Sequence, residues 1–468
     1  MRAEVDWVWL RDTDGAAQPV SLPRVMPIPI GGTPKRALPA PTPRTYSFYL
    51  HVPPGASLVF DYGADRATTF AVRAQADGEP ERALFEAQAK PNAWTEAAVD
   101  LSPLAGKAIR LDLATSGAAA AAGWGEPEIM VPPADAAAPA GPPARNVVLI
   151  LIDTARADAF APGSPVKTPA YDAFAKQATV FVNAYNNENW TKPSVATTLT
   201  GLYPVTHDTK RDPSVLPDDV TLLSEQFKSA GFATGAFVAN GFISGKFGFD
   251  QGWDFFRNYI REERPSDAEH VYADALEWID QHKGQRFFAY IQTIDPHVVY
   301  QVDRKYSALY FDGDYDGPLG DAITAEEQVA LSKGKLKATD RDRKWLEALY
   351  NGEITYHDEH MGAFLDALAQ RGLDGDTLVV ITNDHGEELG EHGRWGHGHS
   401  LYDELLRDLV AMRYPPLFPA GKRIADPVED VDLAPTILEV AGVDPIPGVD
   451  GESLVPLVRG GRVARPLY

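Results

Sequence analysis

The stretch that most constrains this chain is Leu378–Ser400, LVVITNDHGEELGEHGRWGHGHS. It opens with Leu378-Val379-Val380-Ile381-Thr382, a run apolar on both faces and about five residues long, the pattern of a buried strand in a parallel sheet. The strand runs directly into Asn383-Asp384-His385-Gly386-Glu387. Open α/β sheets bind ligands at the carboxyl ends of their strands, so a carboxylate beside an imidazole there, with a glycine to turn the chain, makes a candidate pair of metal ligands. His392, His397 and His399 follow, and with His360 nearby they bring five of the eleven histidines to one region. A polar loop with surface histidines is the plainer alternative, and that concentration argues against it.

A chain of 468 residues is too long for one small core and implies two or three domains. There are no cysteines, which excludes disulfides, iron–sulfur clusters, thiolate zinc sites and a cysteine nucleophile together, so any metal must be held by oxygen and nitrogen. The net charge of −23 argues against a nucleic-acid or anionic-membrane partner. It would repel an anionic substrate as well, unless a bound cation and local basic groups reverse the field inside the site. The apolar run 147–152 is far shorter than the roughly 20 residues of a membrane helix. The first twenty residues contain no apolar core of a signal peptide. The compartment is left open.

Residues 13–43, rich in Pro and Gly, read as a loop or extended lead-in. From Tyr46 to Leu113 short runs such as Tyr46–Val52, Ser57–Tyr62 and Thr68–Arg73 alternate apolar with polar. That spacing predicts an antiparallel β-sandwich, a jelly roll, over 1–130. Its pattern resembles the carbohydrate-binding sandwiches attached to extracellular hydrolases, and Trp94 and Trp124 are candidates either for sugar stacking or for the core. The Ala/Pro-rich stretch 131–145 predicts a linker. After it the pattern becomes alternating strand and helix over 146–468. Strands are expected at 146–152, 180–182, 233–238, 286–293 and 378–382, and helices at 169–177, 194–201, 222–230, 268–283, 340–371 and 432–441. The segment 306–335 reads as an irregular acidic insertion. Pro193 and Gly201 fit the first helical position and the residue after the helix. Thr191 is thereby placed at a helix N-terminus, where backbone N–H groups and the dipole suit a tetrahedral anion.

Six runs taken together resemble the sulfatase family of the alkaline phosphatase superfamily: NVVLILIDTARAD (146–158), TKPSVATTLTGLYPVTH (191–207), IDPHVVY (294–300), LYNGEITYHDEHMG (349–362), VVITNDHGEELGEHGRWGHG (379–398) and DLAPTILEVAGV with GVDGESL (432–454). The resemblance implies an α/β, alkaline-phosphatase-like fold with a mostly parallel sheet flanked by helices. It implies that Asp153, Thr191, Asp384 and His385 surround a divalent metal (Zn, Mn or Ca), with Thr191 at the nucleophile position. His297 and His397 match substrate-contacting or acid positions, and in two-metal branches residues like Asp295, His297 and His399 hold a second ion. Arg156, Lys192 and His207 are candidate substrate contacts. Glu353 and Asp358, on a helix, read as structural. The Asp384-His385 pair is similar to phosphonate monoester hydrolases and to the phosphatase and phosphodiesterase branches. The catalytic segment departs from the family pattern: Thr191 stands where a Cys or Ser is oxidised to formylglycine, and Val195 where an Arg is usual, so no formylglycine is expected. Family members continue past the 451–454 run into a small antiparallel sheet, for which fourteen residues remain here, and are often periplasmic or secreted.

These readings imply a hydrolase of sulfate or phosphate esters or of phosphonates, acting on a small-molecule or glycan ester through a Thr nucleophile. Two rivals stand beside it: a non-catalytic relative that binds a glycan or anion, and a phospho-group transferase. Oligomeric state is not encoded in any of these features.

Overall fold

The computed structural model describes residues 26–130 and 141–461, apart from residues 54 and 77. Tertiary contacts divide the chain into two compact units, with the cut between residues 138 and 139.

The first unit holds nine strands: β1 (Met26–Ile30), β2 (Thr33–Pro39), β3 (Arg44–His51), β4 (Ser57–Ala64), β5 (Thr68–Ala76), β6 (Arg82–Ala89), β7 (Ala93–Asp100), β8 (Ala108–Gly117) and β9 (Ala122–Met130). They form two antiparallel sheets, in the orders β1-β2-β9-β4-β7 and β3-β8-β5-β6. From β2 onward every successive pair except β5 and β6 crosses between the sheets, the interleaving of a jelly roll, with β1 added at one edge. Alternation along β4, β5 and β8 sends Leu58, Phe60, Phe70, Val72, Leu111 and Leu113 into one core between the layers. Trp124 lies at the centre of that core, fully buried, edge-on to Phe60 and Phe70 at 5.0 and 4.9 Å. It is therefore a packing residue and not a sugar platform. Trp94 donates its indole N–H to the carbonyl of Thr33 at 3.0 Å and packs on Ile28, Ile30 and Ala37. Within the Pro-rich lead-in, β1 and β2 form a hairpin where a loop was expected. Pro27 and Pro29 are tolerated because β1 is an edge strand, where a missing N–H need not break a ladder. Residues 131–140 of the expected linker lie outside the described residues, whereas Ala144 and Arg145 already bond to Val440 and Asp376 of the second unit.

The second unit is built on a nine-stranded sheet. Its strands are β10 (Asn146–Ile152), β11 (Thr179–Tyr185), β12 (Ala233–Val238), β13 (Phe255–Asn258), β14 (Phe287–Thr293), β15 (Thr377–Asn383), β18 (Arg407–Arg413), β19 (Arg423–Ile424) and β20 (Val428–Glu429). A small ribbon of β16 (Glu388–Leu389) and β17 (Trp395–Gly396) stands apart from it. The order is β13-β12-β14-β10-β15-β18-β11-β19, with β20 also on β11. Only β18 runs against its neighbours. Central β10 has no polar face: Val148, Ile150 and Ile152 enter one core, and Val147, Leu149 and Leu151 the other. Each such side chain contributes about 1.5–3 kcal/mol by leaving water.

The helices flank the sheet near their expected places. The longest, Asp340–Gln370, starts on a reciprocal Thr339–Asp342 cap and packs against Ala268–His282. The segment 306–335 is less irregular than expected, since it contains Ala325–Ser332 with its own Thr324–Glu327 cap. Asp358 accepts the Ala170 and Tyr171 amides at the start of helix Pro169–Ala175, a structural role as read. Among the described residues no helix is long and apolar enough to cross a membrane.

Separately expressed fragments 1–138 and 139–468 are expected each to give a cooperative melting transition in calorimetry. Trp124→Ala should lower only the first, by about 3–5 kcal/mol for a large aromatic removed from a packed core.

Candidate active site

Register builds the site. β10 is parallel to β15 with Ile152 opposite Asn383, so Asp153 and Asp384 leave adjacent strands side by side. β14 pairs on the other flank with Thr293 opposite Ile152, and β12 beyond it with Val238 opposite Gln292. Gln292, Asn240 and His297 therefore approach from the same strand ends. Helix Thr191–Thr200 starts at Thr191 itself and ends at Gly201 in the left-handed conformation. Pro193 is consequently its third residue rather than its first.

One oxygen or nitrogen from each of Asp153, Asp384 and His385 lies within 4.8 Å of the others, and all three side chains are fully buried. It is the one such trio found among the described residues. The Asp153 carboxylate takes the amides of Asn240 and Gln292 on Oδ2, at 2.7 and 3.0 Å. Asp384 Oδ1 accepts the backbone N–H groups of Thr154 and His385, each at 3.0 Å. What remains is Asp153 Oδ1 and Asp384 Oδ2, both buried and without a hydrogen-bond partner. Burial, with the Asp384 charge next, pushes Asp153 up to about 6. Burial also pushes Asp384 up to about 6, against the amide it receives from Thr154. His385 is pushed down to about 3 by burial and the nearby His397. Its Nδ1 lies 2.9 Å from the Gly386 carbonyl, which can only accept, so Nδ1 carries the proton and Nε2 presents a lone pair. Two orphaned carboxylate oxygens and one imidazole lone pair in a dry pocket fit a divalent cation. These residues would hold it.

Thr191 Oγ1 sits 3.2 Å from that Nε2, buried in the first turn of its helix. His397 lies on the same side, its ring centroid 4.4 Å from His385 and 5.2 Å from His297. Its Nδ1 is 3.0 Å from Glu387 Oε1. Burial opposes charge on His397, but Glu387, with Asp153 and Asp384 beyond it, outweighs that and holds it above its ordinary value. Glu387 is in turn held below its usual range: burial would raise it, and His397 and the Tyr300 hydroxyl more than reverse that. His297 points its Nδ1 at the Val298 carbonyl, 2.6 Å away, leaving Nε2 free.

Several expected roles are not met. Lys192 turns away from the cluster, its ammonium on the carbonyls of Asp212 and Ser214 at 2.5 and 2.8 Å and 4.3 Å from the Phe247 ring. His207 is fully buried, with Nε2 3.1 Å from Thr197 Oγ1 and Nδ1 accepting the Thr209 amide. Arg156 is engaged by Asp158, Glu391 and the Glu387 carbonyl. The suggested second metal set does not assemble. Asp295 accepts the Ala268 amide at the start of helix Ala268–His282, and His399 is bound to Glu388 at 2.7 Å. Sequence reading passed over Asn240 and Gln292, whose amides have no motif of their own. It also passed over Glu387, whose position two residues after His385 was the available signal. Thr154 was missed too. It adopts φ of 54°, a conformation strained for a β-branched residue, with Tyr350 accepting from the Arg156 amide at 3.0 Å and donating to the Thr154 carbonyl at 2.6 Å.

A family model described as Sulfatase matches residues 145–443. The chain belongs to the sulfatase family. It is 26% identical over 352 residues to an ulvan-active sulfatase of Formosa agariphila, covering 67% of this chain and 65% of that one. It is 25% identical to a multifunctional alkaline phosphatase superfamily protein of Trinickia caryophylli, covering 68% and 78%. Among solved structures, the phosphonate monoester hydrolase of Silicibacter pomeroyi superposes with a TM-score of 0.57 at 24% identity, over 69% of this chain and 78% of that one. That likeness establishes the alkaline-phosphatase-like fold. This chain spans less than two thirds of the ulvan-active sulfatase's length.

A cation must displace whatever proton these carboxylates carry, so its binding is expected to weaken as pH falls below about 6. With both protons to displace, the loss approaches about a hundredfold per pH unit. Calorimetric titration of metal-free protein with Mn²⁺, Ca²⁺ and Zn²⁺ between about pH 5 and about pH 8 measures this, and Asp153→Asn should abolish the heat.

Proposed function

We propose that this chain is a metal-dependent ester hydrolase in which Thr191 is the nucleophile, with phosphate esters or phosphonates preferred over sulfate esters. The observation that carries the reading is the position of Thr191 Oγ1, 3.2 Å from His385 Nε2 and so beside the Asp153–Asp384–His385 trio. A divalent cation held there would acidify the Thr191 hydroxyl and draw charge from a non-bridging oxygen of the ester.

The residues divide the remaining work. The first N–H groups of helix Thr191–Thr200 are unpaired within the helix and favour a tetrahedral anion in front of them. Thr191 Oγ attacks phosphorus in line, and the bond to the leaving alcohol breaks. His397, kept protonated by Glu387, presents Nε2 as the acid for the departing oxygen, with the His297 ring beside it. Water then attacks the Thr-bound group and frees the hydroxyl. Threonine has no second oxygen from which to expel sulfate, so turnover depends on this second displacement, which phosphoryl centres accept. Val195, in the place of the usual family Arg, is fully buried in the apolar core and offers the substrate no charge.

Thr191→Ala is expected to lower kcat/KM by at least about a thousandfold, roughly 4 kcal/mol of barrier, while Thr191→Ser keeps a hydroxyl and most of the rate. A panel of aryl phosphates, phosphodiesters, phosphonates and aryl sulfates under several divalent metals tests the preference. Fastest turnover of sulfate esters, or an active Thr191→Ala variant, would overturn the assignment. A non-catalytic relative would bind the cation and turn over nothing.

A further inference from the structure

The segment 306–335 has no part in the chemistry above, yet its helix Ala325–Ser332 reaches the site through a chain of hydrogen bonds. Glu388 pairs with Gly396 in the antiparallel ribbon of β16 and β17, which sets Glu387 across from His397. Glu387 Oε1 accordingly lies 3.0 Å from His397 Nδ1. The second carboxylate oxygen, Oε2, accepts the Tyr300 hydroxyl at 2.6 Å. Gln328, on the helix, donates its amide to the Tyr300 oxygen at 2.8 Å. Glu387, Tyr300 and Gln328 are all buried, where an unpaired polar group is costly and a complete chain is rigid.

The direction of every bond follows from the far end. An amide nitrogen only donates, so the Tyr300 oxygen accepts from Gln328 and its one proton goes to Glu387. Glu387 Oε1 is left to accept from His397, whose Nδ1 is thereby turned away from the site and whose Nε2 is left for it. A carboxylate in place of Gln328 would compete with Glu387 for the only proton Tyr300 has. The helix itself is held at both ends. Tyr300 and Ile323 exchange backbone hydrogen bonds, each of 3.0 Å, just before the Thr324–Glu327 cap, and Ser332 Oγ donates to the Trp395 carbonyl at 2.6 Å. At Gly396, directly before His397, an added Cβ would stand 2.9 Å from Gln328 Oε1, so the amide is packed against the ribbon it serves.

We infer that Tyr300 and Gln328 are positioning residues for His397: through Glu387 they fix which ring nitrogen is bonded away from the site and which faces the departing oxygen. The inference rests on the reading of His397 as the acid. Both residues act through Glu387, so their loss should spare cation and substrate binding and appear where the leaving oxygen needs a proton.

The test compares phosphodiesters with a nitrophenyl and with an alkyl leaving group on wild type, Tyr300→Phe, Gln328→Glu, His397→Ala and Ser332→Ala. A nitrophenolate departs without a proton, and an alkoxide does not. Tyr300→Phe and Gln328→Glu should lower kcat for the alkyl ester by about tenfold or more, with KM unchanged and the nitrophenyl ester nearly unaffected. Ser332→Ala removes a bond of the same helix outside the chain and should show no such split. Equal losses for the two leaving groups, or the same split in Ser332→Ala, overturn the inference while leaving the hydrolase reading in place. A second readout needs no turnover. In protein carrying nitrogen-labelled histidine, the Nδ1–H resonance that His397→Ala removes should move, or exchange faster with water, in Tyr300→Phe and Gln328→Glu. If no ester is hydrolysed, or His397→Ala shows no leaving-group dependence, the reading of His397 as the acid fails and this resonance decides alone. Its absence from wild type, or an unchanged position and exchange rate in both variants, overturns the positioning role.

Discussion

Two carboxylates cannot be placed in a dry interior beside each other without a force that holds them there, and in this protein that force is the parallel pairing of β10 with β15. Seven consecutive residue pairs, from Asn146 with Thr377 to Ile152 with Asn383, lock the two strands in register, with apolar side chains buried on both faces. A one-residue slip would exchange the side chains that enter the two cores and undo the packing of both, so the position of Asp153 relative to Asp384 is fixed by how these strands pack. The amides of Asn240, Gln292 and Thr154 then satisfy one oxygen of each carboxylate and leave the other bare. Apolar packing thus determines where unfavourable charge sits.

Legibility in the sequence followed the same division. The buried strands 146–152 and 378–382 and their acidic ends were plain because a two-faced apolar run followed by Asp or Asp-His is a local pattern, and the resemblance to the sulfatase family placed Thr191, His297 and His397 around them. Roles that depend on where a long side chain turns were not legible. Lys192 and Arg156 are one and three residues from site residues, and both are drawn off by partners distant in sequence, Asp212 and Ser214 for one and Glu391 for the other. The alternation that marked the sandwich could not say which Trp is core, since Trp124 and Trp94 occupy similar patterns and differ only in what packs over them. The β1–β2 hairpin was hidden by its prolines, which edge position makes harmless.

The fold also gives Lys192 a part other than substrate contact. As a substrate ligand it would have lain in front of the phosphoryl group. Its charge is instead held by the Asp212 and Ser214 carbonyls, and burial lowers its proton affinity, against the Asp212 charge and with Lys246 acting in the same direction as burial. Its field still adds to that of the helix N-terminus next to it, in a chain whose overall charge is −23.

One close approach has a mechanical meaning. At Gly386, directly after the candidate ligand His385, a Cβ would stand 1.9 Å from the Glu404 carbonyl oxygen, and the Gly386 amide is bonded to the Leu405 carbonyl at 2.9 Å. The ligand loop and the lead-in to β18 are therefore in backbone contact, with no side chain between them to yield. The orientation of His385 is therefore set by main-chain packing that no change of rotamer can relax.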